Sequence, residues 1–309
     1  MEEGLLMPYD LTEPLVIGIS SRALFNLEKE NDIFEQQGLA AYTAYQQEHE
    51  NDILPKGSAF PLVKAFLHLN QLFEKKLVEV IIMSKNSADT SLRIFKSIQA
   101  YDLDITRAAL VGGAEITPYL KAFQTDLFLS AHAPDVKHAI NSGIAAGQIL
   151  TGTFTGDERI EQIRIAFDGD AVLFAAESER IYRQHGLQAF NEYEKTHADV
   201  PLSHGPFGPL LMTLSNLQSR FQTKEGSPIR TALVTARDAP AHERAIKTLC
   251  NWGVRVDEAF FLGGVSKTDV LAAFGAHIFF DDQETHARPA SAVVPAAVVP
   301  YRDGDDPHR

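Results

Sequence analysis

The sequence predicts an α/β protein in which one parallel-sheet design occurs twice in tandem. Three observations predict it. Short apolar runs alternate with amphipathic stretches, an order that implies parallel strands with helices on both faces. The two halves of the 309-residue chain repeat one another. Paired carboxylates stand at strand ends in the second half only.

The repeat is seen by setting IGISSRALF (17–25) over IAFDGDAVL (165–173). At the same spacing QQGLAAYTAYQQEHEND lies over RQHGLQAFNEYEKTHAD, so that Gly38 meets Gly186, Tyr45 meets Tyr193, His49 meets His197 and later Pro61 meets Pro209. A small insertion around TKEGSP (223–228) shifts the register. Beyond it EVIIMSKN lies over RTALVTAR, Gly112 and Gly113 lie over Gly263 and Gly264, and DLFLSA lies over HIFFDD. The period is far longer than a solenoid unit, which makes this a domain duplication. The expected halves are 1–150 and 151–309, with a linker near 147–158.

Each half follows one grammar. A strand (LVIGI; IRIAF) leads into helices and a second strand (VEVIIMS; RTALVTA). A helix (SLRIFKSIQAYD; HERAIKTLCNWG), a strand ending in Gly-Gly (AALVGG; AFFLGG), another helix and another strand (DLFLS; HIFFD) follow. The segment 175–228 between the first two strands of the second half reads as a short helical cap.

Composition narrows the function classes. Net charge is −13, with 45% hydrophobic and 22% charged residues. This argues for a soluble, cytoplasmic protein and against a nucleic-acid polymer or an anionic membrane as partner. No apolar run approaches the roughly 20 residues of a membrane span, and the acidic start MEEGLLMPYD lacks the order of a signal peptide. The single cysteine, Cys250, excludes an intrachain disulfide and reads as a structural thiol on a helix's buried face. The polar tail YRDGDDPHR is expected to fray. A homo-oligomer is expected.

The differences between the halves carry the chemistry. Asp168 and Asp170 replace Ser20 and Arg22; Lys267 replaces Ile116; Asp281 and Asp282 replace Ser130 and Ala131; Thr235 faces Ser84. In a parallel sheet the C-terminal strand ends form the ligand edge. Carboxylates massed there repel one another unless a cation joins them, and hard oxygen ligands suit Mg²⁺. Lys267 and the Thr235 hydroxyl supply what a phosphoryl group requires. A carboxylate nucleophile with a neighbouring acid/base is the equipment of phosphoryl transfer.

These residues resemble the haloacid dehalogenase-like (HAD-like) phosphatase superfamily. Its four signatures appear in order as FDGDAVLF, LVTAR, GGVSKTDVL and IFFDDQ. SSRALF, EHEND, VGG, FDGDAVLFAAESERI, PIRTALVTAR, TLCNWGV and HIFFDDQ further resemble the cytosolic 5'-nucleotidase type I family over nearly the whole chain. The resemblance implies two HAD-like halves, the second catalytic and the first degenerate. It implies Mg²⁺-dependent hydrolysis of nucleoside 5'-monophosphates, AMP or deoxynucleotides among them. Asp168 would be nucleophile and metal ligand, and Asp170 acid/base with its backbone carbonyl on the metal. Thr235 and Lys267 would hold the phosphate with the LVTAR residues Ala236 and Arg237. Asp281 would complete the metal site, with Asp282 a second ligand or a supporting partner. The rivals are a phosphatase of sugar phosphates and a non-catalytic nucleotide-binding regulator.

Substrate specificity is expected in the cap, with Phe190, Tyr193, His197, His204 and Phe207 as candidates. An aromatic there could stack on a base, although Phe190 and Tyr193 also have the spacing of a buried helix face, and His197 shares its place with His49. SHGPFGP reads as a mobile loop. In the first half, Ser20, Ser21, Arg22 and Lys85 are candidates for a phosphate or nucleotide effector pocket, the favoured reading being a half that only packs against the other or builds an oligomer.

Overall fold

The computed structural model describes residues 10–73, 75–150, 162–221 and 226–306. The first half runs β1 (Leu15–Ile19), α1 (Ser21–Leu24), α2 (Glu28–Glu48), α3 (Phe60–Leu72), β2 (Val78–Ser84), α4 (Leu92–Ala100), β3 (Arg107–Leu110), α5 (Thr117–Ala122), β4 (Leu127–Ser130), α6 (Ala133–Asn141) and β5 (Ala145–Ile149). The second runs β6 (Ile163–Phe167), α7 (Glu177–Thr196), α8 (Gly208–Arg220), β7 (Ile229–Thr235), α9 (His242–Trp252), β8 (Glu258–Phe261), α10 (Lys267–Phe274), β9 (Ile278–Asp281), α11 (Glu284–Ala290) and β10 (Ala296–Val298).

The strands form one sheet in the order β3-β2-β1-β4-β5-β10-β9-β6-β7-β8. Read inward from either edge, each half contributes the same order, and every pairing is parallel except β5 with β10. The two halves therefore share one continuous sheet, joined antiparallel at its centre. Strands such as LVIGI and VEVIIMS are buried along their whole length, as helices on both faces require.

The backbone repeats in detail. Gly38 (φ 82°, ψ −178°) and Gly186 (φ 79°, ψ 179°) kink α2 and α7 in the same glycine-only conformation. Polar ties repeat as well. The Leu54 N–H donates to Ser97 Oγ at 2.9 Å, and the Leu202 N–H to Thr248 Oγ1 at 3.0 Å. Arg93 Nε donates to the Asp52 carbonyl at 2.9 Å, and Arg244 Nε to the Val200 carbonyl at 2.8 Å.

Several sequence expectations need correction. The stretch beginning at 147 is not all linker: residues 145–149 form β5, and Gly147 sits so close to β10 that a Cβ would lie 2.9 Å from that of Ala297. The remainder of that stretch, 151–158, lies outside the described residues, as do 223–225 of the insertion. Helix α8 is a core layer and not a cap, since Leu210, Leu211 and Leu214 are buried in the main apolar cluster. Cys250 is exposed, because the inward face of α9 is set by Arg244, Ala245, Thr248 and Leu249. The tail is tied down as far as it is described: Lys137 Nζ donates to the Tyr301 carbonyl at 2.5 Å, and Asn141 Nδ2 to Asp303 at 2.8 Å.

Candidate active site

Strand β6 delivers Asp168 one residue past its end, where the Asp168 N–H donates to the Phe280 carbonyl at 2.8 Å. Gly169 follows because a Cβ there would meet Thr235 Oγ1 at 3.1 Å. Its N–H donates to Asp168 Oδ1 at 2.7 Å, which orients the carboxylate. Ala171 turns through φ 61°, and Val172, Leu173 and Phe174 then dive into the core. The apolar run after the carboxylates is thus the anchor of the turn that presents them.

Two other strand ends and one helix start converge there. Lys267, the first residue of α10, reaches Asp168 Oδ2 at 2.9 Å and Asp281 Oδ2 at 2.7 Å. Asp281 ends β9, and its Oδ1 accepts the Gln283 N–H at 2.8 Å. Thr235 ends β7, and its hydroxyl accepts the Arg237 N–H at 3.2 Å. Ala236 is exposed beside it.

The site is buried and acid-rich, and its protonation follows from that. Burial pushes the Asp168 carboxyl up to about 7 against the pull of Lys267, with Asp281 and Asp170 adding to the rise. Burial also raises Asp282 well above the carboxylate range, helped by Asp168, Glu179 and Asp281. Burial would raise Asp281 too, but the His286 contact and Lys267 outweigh it and hold it low. Lys267 keeps its proton more tightly than an ordinary lysine because Asp168 and Asp281 outweigh its burial.

One ammonium faces three buried carboxyl groups, and without further positive charge Asp168 and Asp282 are driven to take up protons. Asp282 bonds the Tyr301 hydroxyl through Oδ2, while its Oδ1 is buried with no partner. Among the described residues, Asp168, Asp281 and His286 offer ligand atoms within 4.8 Å of one another. His286 Nδ1 lies 3.6 Å from Asp281 Oδ1. An oxygen-rich donor set with an orphaned carboxylate oxygen fits a hard divalent cation.

Asp170 does not join this group through its side chain. Its carboxylate is held bidentately by Arg237, at 2.8 and 2.7 Å. Arg237 also bonds Glu194, which accepts from Arg244 Nη1 at 3.0 Å and from Ser178 Oγ at 2.7 Å. A buried chain of charges therefore runs from Asp170 to α7 and α9. Arg237, expected on the phosphate, is instead engaged in holding Asp170 in place. The Phe190 ring lies 5.5 Å from its guanidinium, which sets this cap aromatic next to the site.

The other cap candidates are placed differently. Phe207 is fully buried on Phe280 and Phe167, with centroids 4.5 and 6.1 Å away, and is a core residue. His204 stacks on Trp252 at 3.9 Å. The SHGPFGP segment is not a mobile loop: Gly205 N–H and Phe207 N–H donate to the carbonyls of Leu173 and Val172, at 2.8 and 2.9 Å. The Tyr193–His197 stack at 4.0 Å repeats Tyr45–His49 at 4.1 Å, so the pair is shared framework. Glu194, Arg244, His286 and Tyr301 escaped sequence reasoning. Position 194 offered one signal, since it faces Gln46 in the repeat.

In the first half, Ser20 Oγ accepts the Ala23 and Ala131 N–H groups at 3.3 and 3.4 Å, and the Ser21 and Ser84 hydroxyls lie 3.2 Å apart. Arg22 is tied to Glu28 at 2.8 and 2.7 Å and to Asn31 at 2.9 Å, and Lys85 to Asp135 at 2.6 Å. Both cations expected to hold an effector phosphate already have acidic partners.

Residues 7–306 match the family model of 5'-nucleotidases. A human protein, cytosolic 5'-nucleotidase 1B, is 40% identical over 282 residues, which are 88% of this chain and 46% of that protein. The chain thus spans about half the length of this relative. The solved structure of histidinol dehydrogenase from Elizabethkingia anophelis aligns with 76% of this chain and 48% of its own at 12% identity and a TM-score of 0.24, too low to bear on the fold. No helix among the described residues is long and apolar enough to cross a membrane.

Proposed function

The chain belongs to the 5'-nucleotidase family, and from that premise we propose that its second half hydrolyses nucleoside 5'-monophosphates, AMP or deoxynucleotides, to nucleoside and phosphate. The observation that carries this reading is the convergence of Asp168, Thr235, Lys267 and Asp281 from four separate segments onto one strand-end edge. Both halves are read as HAD-like, with α7 as the cap of the catalytic one.

Asp168 attacks phosphorus through a carboxylate oxygen, the P–O ester bond breaks, and Asp170, which must enter this step protonated with one oxygen turned away from Arg237, gives that proton to the departing 5'-oxygen. Water then attacks the aspartyl-phosphate while Asp170 takes its proton, releasing phosphate and restoring Asp168. Thr235 donates its hydroxyl hydrogen to a phosphoryl oxygen, and Lys267 sets a positive charge beside the nucleophile. Arg237 fixes the direction of Asp170. Mg²⁺ would be held by Asp168, Asp281 and the Asp170 carbonyl, with Asp282 or His286 completing the set. It would neutralise charge developing on the phosphoryl oxygens.

The test is phosphate release from AMP, dAMP, CMP, dCMP, IMP, UMP and glucose-6-phosphate, with Mg²⁺ and with chelator. Release from nucleotides that needs metal and vanishes in Asp168→Asn is expected. A preference for glucose-6-phosphate would overturn the substrate class, and metal-independent release would overturn the mechanism.

A further inference from the structure

The edge of the first half that corresponds to the active site holds a cavity of about 470 Å³. Its floor is formed by Ser20, Ser84 and Ser130, the counterparts of Asp168, Thr235 and Asp281. Ile116 replaces the lysine. Hence the floor carries neither metal-binding carboxylates nor a phosphate-binding cation, and the two cations at its rim are paired with acids.

The wall over this floor is retained. On α2, Phe34 meets Tyr42 edge-on at 5.9 Å and 81°. At the same positions of α7, Tyr182 meets Phe190 at 6.1 Å and 82°. Phe34 and Tyr182 are each about half exposed, at 48% and 50%. The next turn of each helix, beyond the shared glycine kink, exposes Leu39 and Leu187. The halves therefore share an aromatic wall and differ in the groups that would engage phosphate. Asn86, which lines the cavity beside this wall, sets its side-chain amide against the Tyr42 hydroxyl.

We propose that the first half is a second ligand site that takes a nucleoside, without metal and without chemistry. The planar ring packs against Phe34 and Leu39, and the sugar hydroxyls face the serine floor. The assignment to nucleosides rests on the 5'-nucleotidase reading for the class of ring. The site itself rests on the cavity and the repeated wall.

Binding of adenosine, uridine, AMP and inorganic phosphate would be measured by calorimetry on the full chain. Chelator would be present and Asp168→Asn would silence turnover. Saturable nucleoside binding is expected, weakened at least tenfold by Phe34→Ala and by Leu39→Ala and changed less than twofold by Tyr182→Ala. Both first-half variants alter exposed side chains, and unchanged melting would show that they fold. Absence of saturable nucleoside binding would overturn the proposal, as would loss in Tyr182→Ala but not in Phe34→Ala. Tenfold tighter binding of AMP or phosphate than of adenosine at the Phe34-dependent site would overturn the nucleoside assignment. Because the readout is binding, it stands apart from whether the second half turns nucleotides over.

Discussion

The two halves solve the same packing problem with different charges, and the difference separates framework from function. Arg93 and Arg244 occupy matching positions and both are buried. In the first half the carboxylate that balances the arginine is Glu30, near the start of α2, while position 46 is Gln. In the second half position 178, the match of Glu30, is Ser, and the acid is Glu194 near the end of α7. A buried guanidinium needs a carboxylate, but either end of the covering helix can supply it. Placing it at 194 lets the same acid also hold Arg237, and through it Asp170. In the first half the counterpart of Arg237 is the neutral Asn86.

The largest test of this contrast is catalytic. Asp168→Asn should lower turnover by about 10³-fold or more with folding intact. Ser20→Asp in the first half should create no activity, because Ile116 and Ser130 stand where the second half has Lys267 and Asp281. Phosphate release with far-UV dichroism checks both. Activity from Ser20→Asp in an Asp168→Asn background would break the contrast.

The shared acid comes next. Glu194→Ala leaves two buried arginines short of a carboxylate and should cost about 3–5 kcal/mol, read by urea unfolding, and should also lower turnover by releasing Arg237 from its support. Glu30→Ala strips only Arg93 and should cost less. Equal losses would mean that Arg237 is held well enough by Asp170 alone.

The kinks should respond alike. Gly38 and Gly186 each have open space where a Cβ would go, so Gly→Ala at either position probes backbone strain alone. A cost of about 1–3 kcal/mol is expected for each, equal between halves by thermal melting; a clear inequality would show that one kink carries a further constraint.

The smallest effect is a difference in sign. The Val16 N–H donates to Asp126 at 2.8 Å, and the matching Arg164 N–H donates to His277 Nδ1 at 2.8 Å. Burial, with Arg164 nearby, lowers His277 to about 4. The unfolded chain therefore binds the extra proton between pH 6.5 and 4. The stability His277 contributes is present above 6.5 and lost as pH falls through that window, by about 1–2 kcal/mol after allowing for partial exposure. Burial raises Asp126, so its contribution is present at low pH and lost as pH rises through and above the carboxylate range. His277→Asn should flatten the melting temperature between pH 4 and 6.5, and Asp126→Asn should flatten the opposing limb.

The α/β class, the repeat, the strand-end residues Asp168, Thr235 and Asp281 and the helix-start Lys267 are legible in the chain alone, because alternation, internal register and turn position are local properties. Tertiary structure decided that the two copies merge into one sheet through β5 and β10, since an antiparallel pairing between segments about 150 residues apart leaves no mark on either. It decided that Phe207 is core and that Arg237 holds Asp170, because both depend on which helix face meets which strand end. It decided too that Arg22 and Lys85 are spent on Glu28 and Asp135: a cation's partner is set by where folding brings the nearest carboxylate, and residue type alone carries no record of it.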